Sequence, residues 1–223
     1  MQRLKLSALM LALASTLLLT AGLAAAQTPN LEFTIPRISQ APVINGDLSD
    51  NAWVQASQRG GKTVVDLDHL GVKLTPYPRV AYLAYDDTAL YLAVVAYVPD
   101  PSTLVTDLPA ASNNDEIELF LAPDSSGYHQ FIVTAGSGLQ HNTRGSVRTD
   151  VQVEYAVQVS DIKWTVELAV PFEALGVKPS AGDSWTFNIN GRQVGPGDQW
   201  LAWNPTYGGF HNPARFGTLI FGE

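Results

Sequence analysis

Three carboxylates lie close together at the start of one apolar segment of the chain. Asp115, Glu116 and Glu118 fall within residues 113–121, and the alternation of side chains there predicts a strand with Ile117 on one face and the two glutamates on the other. A carboxylate accepts hydrogen bonds from two neighbouring hydroxyl groups, and its oxygens also suit a hard cation. The segment therefore predicts either a ligand-binding face or the solvated outer face of an edge strand, and both interpretations stay open.

A second candidate surface lies near the C-terminus, where aromatic residues occur in a segment rich in Gly, Pro and Asn. Trp200, Trp203, Tyr207 and Phe210 all fall in this segment, which has the composition of a loop. Aromatic side chains on a loop favour ligand binding over core packing. The other tryptophans fall in phase with apolar neighbours or close a short apolar segment, and they are predicted to be buried: Trp53, Trp164 and Trp185.

Strand signals that would position these residues follow one another along most of the chain. Residues 79–98 predict a hairpin that turns at 86–88, and residues 151–170 predict a second hairpin through Asp161. One short helical turn is predicted at 171–176, with Pro at its start and Gly at its end. Regular strand spacing with almost no helical periodicity predicts an all-β fold, either a β-sandwich or a jelly roll.

The N-terminus has the pattern of a secretory signal peptide. Arg3 and Lys5 precede an apolar run that ends in three alanines, which predicts cleavage after Ala26, with an uncleaved membrane anchor as the alternative. No later apolar run is long enough to span a membrane. We therefore expect a signal peptide at 1–26, one domain at 27–223, and a periplasmic or secreted protein.

Composition excludes several classes of function. The 223 residues contain 21 Asp and Glu against 13 Lys and Arg, a formal net charge of −8, which argues against partners such as nucleic acid or an anionic membrane surface. The chain has no cysteine, so disulfides and thiol chemistry are excluded. Core burial, with metal ions as a further contribution, must then stabilise the fold.

Five motifs in the same order resemble the family 9 carbohydrate-binding modules and their wider superfamily. They lie at residues 42–53, 114–121, 164–172, 185–190 and 210–217. The resemblance implies a jelly-roll β-sandwich of two antiparallel sheets, a shallow aromatic sugar site and structural calcium ions. It also implies a non-catalytic module that binds a saccharide or polysaccharide and takes part in polysaccharide recognition or catabolism.

The resemblance also suggests site residues. In the sugar-binding members, two Trp rings enclose a terminal glucose with the help of a Glu, a Gln and an Asn. Glu118 matches the Glu and Gln130 matches the Gln, whereas Ser112 stands where the first Trp is expected and Phe210 lies near the second. The implied ligand-binding set is Glu118, Gln130, Trp203, Asn204 and Phe210.

Calcium ligands are expected at two places in the sequence. Asp47 and Asp50 flank a turn after Asn45-Gly46, although Asx turns and a helix cap explain them equally. The acidic strand supplies a second pair of acceptor-only oxygens. The predicted metal-binding residues are Asp47, Asp50, Asp115 and Glu116.

No signature of an enzyme is present, neither a nucleophile elbow nor a phosphate or dinucleotide loop, so we expect at most a module associated with an O-glycosyl hydrolase. The alternatives are a haem-binding periplasmic electron-transfer domain of the same fold and a structural envelope interaction module. Both methionines lie in the predicted signal peptide, which leaves His or Lys as haem ligands. The histidines lack metal-ligand spacing and are interpreted as structural, with His211 orienting a loop: His69, His129, His141 and His211. Arg192 is predicted to pair with an acidic strand residue inside the sandwich.

Overall fold

The structure is a computed structural model that describes residues 31–195 and 197–223, so the predicted signal peptide lies outside the described residues. The elements of the described chain are β1 Glu32–Ile35, α1 Asn51–Gln58, β2 Lys62–Asp68, β3 Leu74–Tyr85, β4 Ala89–Tyr97, β5 Glu116–Ala122, β6 Gly127–Thr134, β7 Leu139–Gly145, β8 Glu154–Ser160, β9 Lys163–Pro171, α2 Phe172–Leu175, β10 Ser184–Gln193, β11 Gln199–Ala202 and β12 Gly217–Phe221. In these two ranges no helix is long and apolar enough to cross a membrane.

The strands form a jelly-roll β-sandwich, as predicted. Their hydrogen-bonded order is β7-β6-β5-β10-β11-β2-β3-β4-β9-β8, and β12 pairs with β10 and with β1. We call β7, β6, β5, β10 and β12 the front layer, and β2, β3, β4, β9 and β8 the back layer. The structure differs from the expected two antiparallel sheets in two respects. The layers are joined through β11 into one curled sheet, and the β1–β12 pair is parallel.

The core lies between the two layers. Apolar side chains on the inner faces of the strands pack together in one cluster, which contains Leu119 and Phe187 of the front layer and Leu92 and Val166 of the back layer. The predicted core tryptophans are buried, with exposed fractions of 3% for Trp53, 2% for Trp164 and 6% for Trp185. This part of the sequence analysis is confirmed.

The predicted hairpins and the predicted helical turn are present in the structure. The hairpins β3–β4 and β8–β9 form as predicted, and α2 ends at Gly176, whose φ of 76° lies in the left-handed region that glycine adopts without strain. β8 begins only at Glu154, three residues after the predicted start, and it is an edge strand. Val159, near the end of this strand, is exposed.

The interpretation of the acidic segment as an edge strand is wrong. β5 lies between β6 and β10, and each of its seven residues is buried. Its inner face meets the core through Ile117, Leu119 and Leu121, while Phe120 on the outer face is covered by a separate aromatic cluster. Glu116 and Glu118 therefore lie on a face that is largely covered by protein, with exposed fractions of 0% and 2%.

Candidate functional site

A cleft of about 470 Å³ lies on the outer face of the front layer. Because successive side chains of a strand point to opposite faces, Glu118 of β5, Gln130 of β6 and Asn142 of β7 all project away from the core. The registers place Gln130 opposite Asn142 and Glu118 opposite Ile132, so these side chains form a continuous floor. The opposite wall of the cleft comes from the β2–β3 turn, β11 and the following loop, through His69, Trp200, Gly208, Gly209, Phe210 and His211.

The floor carries an ordered chain of hydrogen bonds. Gln140 Nε2 donates to Asn142 Oδ1 at 3.0 Å, Asn142 Nδ2 donates to Gln130 Oε1 at 2.9 Å, and Gln130 Nε2 donates to Glu118 Oε2 at 2.6 Å. Each amide thus donates towards Glu118. We call these four residues the polar chain. It fixes the Glu118 side chain and presents donors and acceptors along the cleft floor.

The aromatic wall is built on Phe210. Its ring packs edge-on to Trp200 with centroids 5.4 Å apart and contacts the Phe120 cluster beneath. The Arg192 guanidinium lies 4.7 Å from the Trp200 ring centroid and covers that face of the indole. Arg192 is held there by Asp198, with its Nε 2.8 Å from Oδ1. The prediction that Arg192 pairs with an acidic strand residue is therefore wrong, because the loop after β10 brings Asp198 to it.

Two members of the predicted ligand-binding set do not reach the cleft. Trp203 packs on Phe187 in the core with ring centroids 4.5 Å apart, and its Nε1 donates to Thr63 Oγ1 at 2.9 Å. Asn204 is buried and its Nδ2 donates to the Arg215 carbonyl at 2.8 Å. Trp203 lies three residues after Trp200, just beyond the end of β11, and this odd spacing turns the two indoles to opposite faces. Asn204 is held inside by its hydrogen bonds with Asn188 and with the Arg215 carbonyl.

The structure therefore brings together Glu118, Gln130 and Phe210 of the predicted set, and replaces Trp203 and Asn204 by other residues. Trp200 supplies the indole at the cleft, and the amides come from β7, where Gln140 and Asn142 alternate along the strand. A polar alternation after the predicted turn at 136–138 was the available signal for these two amides. Ser112, which stands where the resemblance implies a Trp, also lines the cleft.

Burial shapes the electrostatics of the floor. Burial raises the pKa of Glu118 to about 7, and burial next to Glu118 raises the pKa of Glu116 well above its usual value. His211 at the cleft wall has its Nδ1 2.9 Å from the Tyr128 hydroxyl, and burial lowers its pKa. This contact ties the loop to β6, in agreement with the predicted structural role of His211.

Two histidines lie side by side on the other face of β6 and β7. His129 Nδ1 is 3.1 Å from His141 Nε2, and the His141 ring stacks on Phe131 at 4.7 Å. Burial lowers the pKa of both rings, that of His129 to about 4. These contacts are those of packed, hydrogen-bonded side chains, and they fit the structural interpretation of His129 and His141.

Three of the four predicted calcium ligands accept hydrogen bonds within the protein. Asp47 accepts hydrogen bonds from Ser49 of its own turn, and Asp50 accepts one from the Val43 N–H at 2.8 Å. Asp115 accepts from the backbone N–H groups of Val105 and Val194, and neither oxygen of Glu116 has a hydrogen-bond partner in the described chain. Over residues 31–195 and 197–223, no three His, Cys, Asp or Glu side chains are grouped so that they could hold a metal ion.

Comparison with known proteins places this geometry in a family. A family model described as "carbohydrate family 9 binding domain-like" matches residues 44–223. Two similar solved structures are family 9 carbohydrate-binding modules from Caldicellulosiruptor kristjanssonii, one in complex with cellotriose and one with glucose. Each is 17% identical and covers 86% of this chain, with 94% and 97% of those chains covered and TM-scores of 0.67 and 0.69.

A search of curated proteins gave no match. The family model nevertheless covers far more than half of the chain, and the two solved structures share its fold. The chain belongs to the carbohydrate family 9 binding domain-like family.

Proposed function

We propose that this protein is a non-catalytic carbohydrate-binding module that holds a saccharide between the polar chain and the aromatic wall of the cleft. The observation that carries the proposal is the ordered series of amides that ends on Glu118 at the floor of the cleft. Adjacent sugar hydroxyls both donate and accept hydrogen bonds, and a carboxylate beside amides offers the complementary groups. The two similar modules with bound cellotriose and glucose support a sugar as the ligand.

The cleft suits a small saccharide or the end of a longer one. Its volume of about 470 Å³ lies within the range of small-molecule sites. Trp200, which is partly exposed, offers apolar surface to one face of a sugar ring, whereas Phe210 has an exposed fraction of only 6% and packs edge-on against the indole. Ser112, on the lining of the cleft, provides no second ring, so the proposed contact depends on hydrogen bonds to Glu118, Gln130 and Asn142 more than on stacking.

The charge of the lining favours a neutral sugar. Of the described residues that line the cleft, Glu118 is the sole carboxylate and none is Lys or Arg. A uronate or a sulfated sugar would meet the Glu118 carboxylate, and no Lys or Arg among the described lining residues would contact its negative charge. A glycosidase needs two carboxyl groups about 5 to 10 Å apart on either side of the scissile bond, and the second carboxyl group is missing from this lining.

The proposal also includes export of the domain from the cytoplasm. The predicted signal peptide at 1–26 would deliver the domain to the periplasm or the exterior, where polysaccharides are met and degraded. A role in polysaccharide recognition or catabolism follows from that location. Calcium is not part of the proposed binding mechanism, because none of the four predicted calcium ligands lines the cleft.

Titration calorimetry of residues 27–223 against neutral and acidic saccharides tests the proposal. We expect binding of at least one neutral glucan-type or xylan-type oligosaccharide and little binding of uronates. Glu118→Ala should weaken binding about tenfold or more, the size expected for a lost hydrogen bond to a charged group. Glu154→Ala, which removes an exposed glutamate of the back layer, is the matched control and should bind like the wild type.

Two results would overturn the proposal. The first is that no saccharide binds to the folded wild-type protein. The second is that Glu118→Ala and Glu154→Ala bind equally well, which would place the ligand outside this cleft.

A further inference from the structure

Glu116 is a buried carboxyl group without a hydrogen-bond donor among the residues that the structure describes. It lies two residues before Glu118 on the same outer face of β5, and it has an exposed fraction of 0%. In the described ranges neither of its oxygens meets the geometry of a hydrogen bond from a donor group. An ionised carboxylate in such surroundings is strongly disfavoured, whereas a carboxylic acid needs only one acceptor for its proton.

The cations nearby are engaged elsewhere. Arg79 of β3 is buried on the inner side of the front layer, and its guanidinium donates to the main-chain carbonyls of Glu116 and Arg192 at 2.9 and 2.7 Å. Arg192 of β10 is paired with Asp198, and its backbone N–H approaches the Glu116 carboxyl without the geometry of a hydrogen bond. These two arginines lower the repulsion around Glu116 but do not satisfy its oxygens.

Of the two acidic neighbours of Glu116, Glu118 supplies the acceptor for a proton held by Glu116. Asp115 uses its two oxygens for the backbone N–H groups of Val105 and Val194, whereas Glu118 is the next residue on the same face of β5, and interaction with Glu116 opposes the effect of burial on the Glu118 pKa. Glu118 already accepts one hydrogen bond from Gln130, and a carboxylate has room for about four. A proton on Glu116 can therefore bridge the two carboxyl groups and still leave acceptor sites on Glu118 for a ligand.

We propose that Glu116 is a positioning residue for the cleft: a neutral carboxylic acid that donates its proton to Glu118 and holds that carboxylate towards the ligand. This inference rests on the proposed function, since it gives Glu118 its role in the binding of a sugar. The pair carries one negative charge, and that charge lies on the residue that lines the cleft. Gln130 and Glu116 hold the Glu118 side chain from two sides.

The location of this proton has a direct consequence for the variants. Glu116→Gln keeps a neutral side chain with a donor group and should bind a saccharide within about twofold of the wild type. Glu116→Met has similar length but no donor, and it should bind about tenfold more weakly, the size of one lost hydrogen bond to a charged group. The matched control pair is Glu154→Gln and Glu154→Met, at an exposed position of the back layer, and we expect no change in saccharide affinity for either variant.

The decisive measurement is a pH titration of the mature protein with ¹³C-labelled glutamate, followed by NMR. The signal of the Glu116 carboxyl carbon, assigned from Glu116→Gln, should stay that of a protonated acid above about pH 5, where an ordinary glutamate is ionised. The Glu118 signal should titrate near its pKa of about 7. In Glu116→Met the Glu118 titration should move to higher pH, which a purely packing role of Glu116 would not cause.

Each outcome decides the inference. An ionised Glu116 at neutral pH, or equal sugar affinity of the Gln and Met variants, would overturn it. If Glu116→Met does not fold, the titrations of the wild type and of Glu116→Gln still locate the proton. If the wild type binds no saccharide, the proposed function fails, and the NMR titration shows separately whether Glu116 holds a proton.

Discussion

Two buried glutamates, one on each outer face of the sandwich, differ in the donors that surround them. Glu167 of β9 lies beneath α1, where it accepts hydrogen bonds from Trp53 Nε1 at 2.6 Å and from the backbone N–H groups of Asn45 and Gly46 at 2.8 and 2.6 Å. Glu116 of β5 lies beneath the cleft and accepts none within the described chain. Both side chains have an exposed fraction of 0%.

Because both carboxyl groups are equally buried, burial does not distinguish them. They differ in the number of hydrogen-bond donors around them, and we relate this difference to a structural role for Glu167 and a role at the cleft for Glu116. The three donors of Glu167 come from the 45–46 turn and from α1, so Glu167 anchors both to the back layer. A buried group with all its partners stabilises a fold, whereas one without them is retained for another reason. For Glu116 that reason is its neighbour Glu118.

The same substitution at both positions gives the largest expected contrast. Glu167→Gln places an NH₂ group among three donors, and we expect it to lower the free energy of unfolding by about 3 kcal/mol. Glu116→Gln should change the free energy of unfolding by less than about 1 kcal/mol at neutral pH, because it replaces one neutral side chain with another. Urea denaturation followed by tryptophan fluorescence measures both. Similar losses in the two variants would contradict the comparison.

The pH dependence of sugar binding provides a second test. Glu118 has a pKa of about 7, raised mainly by burial, so it loses its charge as the pH falls through 7. If the carboxylate accepts hydrogen bonds from the sugar, affinity should be highest above pH 7. It should decrease by up to about tenfold for each pH unit below that value. Calorimetry across this range measures the effect.

Glu118→Gln is the control for the pH experiment. Its affinity should be weaker than that of the wild type and almost independent of pH, since the titrating carboxyl group is gone. A wild-type affinity that stays constant across pH 7 would show that the ligand does not depend on the Glu118 charge.

The smallest expected effect concerns the far end of the polar chain. Asn142→Ala removes the donor to Gln130 Oε1 and should weaken sugar binding about fivefold, or about 1 kcal/mol, as expected for one neutral hydrogen bond. Stability should change little, because Asn142 is only partly buried. Gln152→Ala, at an exposed position outside the cleft, is the control, and a comparable loss in that variant would contradict a specific role for Asn142.

Much of the fold could be predicted from the sequence because its signals are local. Alternating apolar residues and turn residues predicted the β3–β4 and β8–β9 hairpins, and the left-handed glycine after α2 marks the end of that helix. The tryptophans in phase with apolar neighbours are buried, as expected. The outer-face position of Glu118 also follows from alternation alone.

The site was only partly predictable because its wall comes from distant parts of the chain. Sequence composition could not separate Trp200 from Trp203, since both lie in the same polar segment. The start of β11 decides which of them faces the cleft, and that start is set by pairing with β10 and β2. The sequence also could not show which groups surround the four predicted metal-binding residues, because hydrogen-bond partners such as those of Asp50 and Asp115 come from other segments of the chain.

The sequence by itself determined the β-sandwich, the direction of most strand side chains and the placement of two glutamates on one face of β5. These properties depend on the two-residue period of a strand and on turns of a few residues. The tertiary structure alone decided that Glu167 meets three donors, that Glu116 accepts no hydrogen bond in the described part of the chain, and that Trp200 and Phe210 stand across from the polar chain. Hydrogen-bond partners and cleft walls come from segments far apart in the chain, so only the folded molecule brings them together.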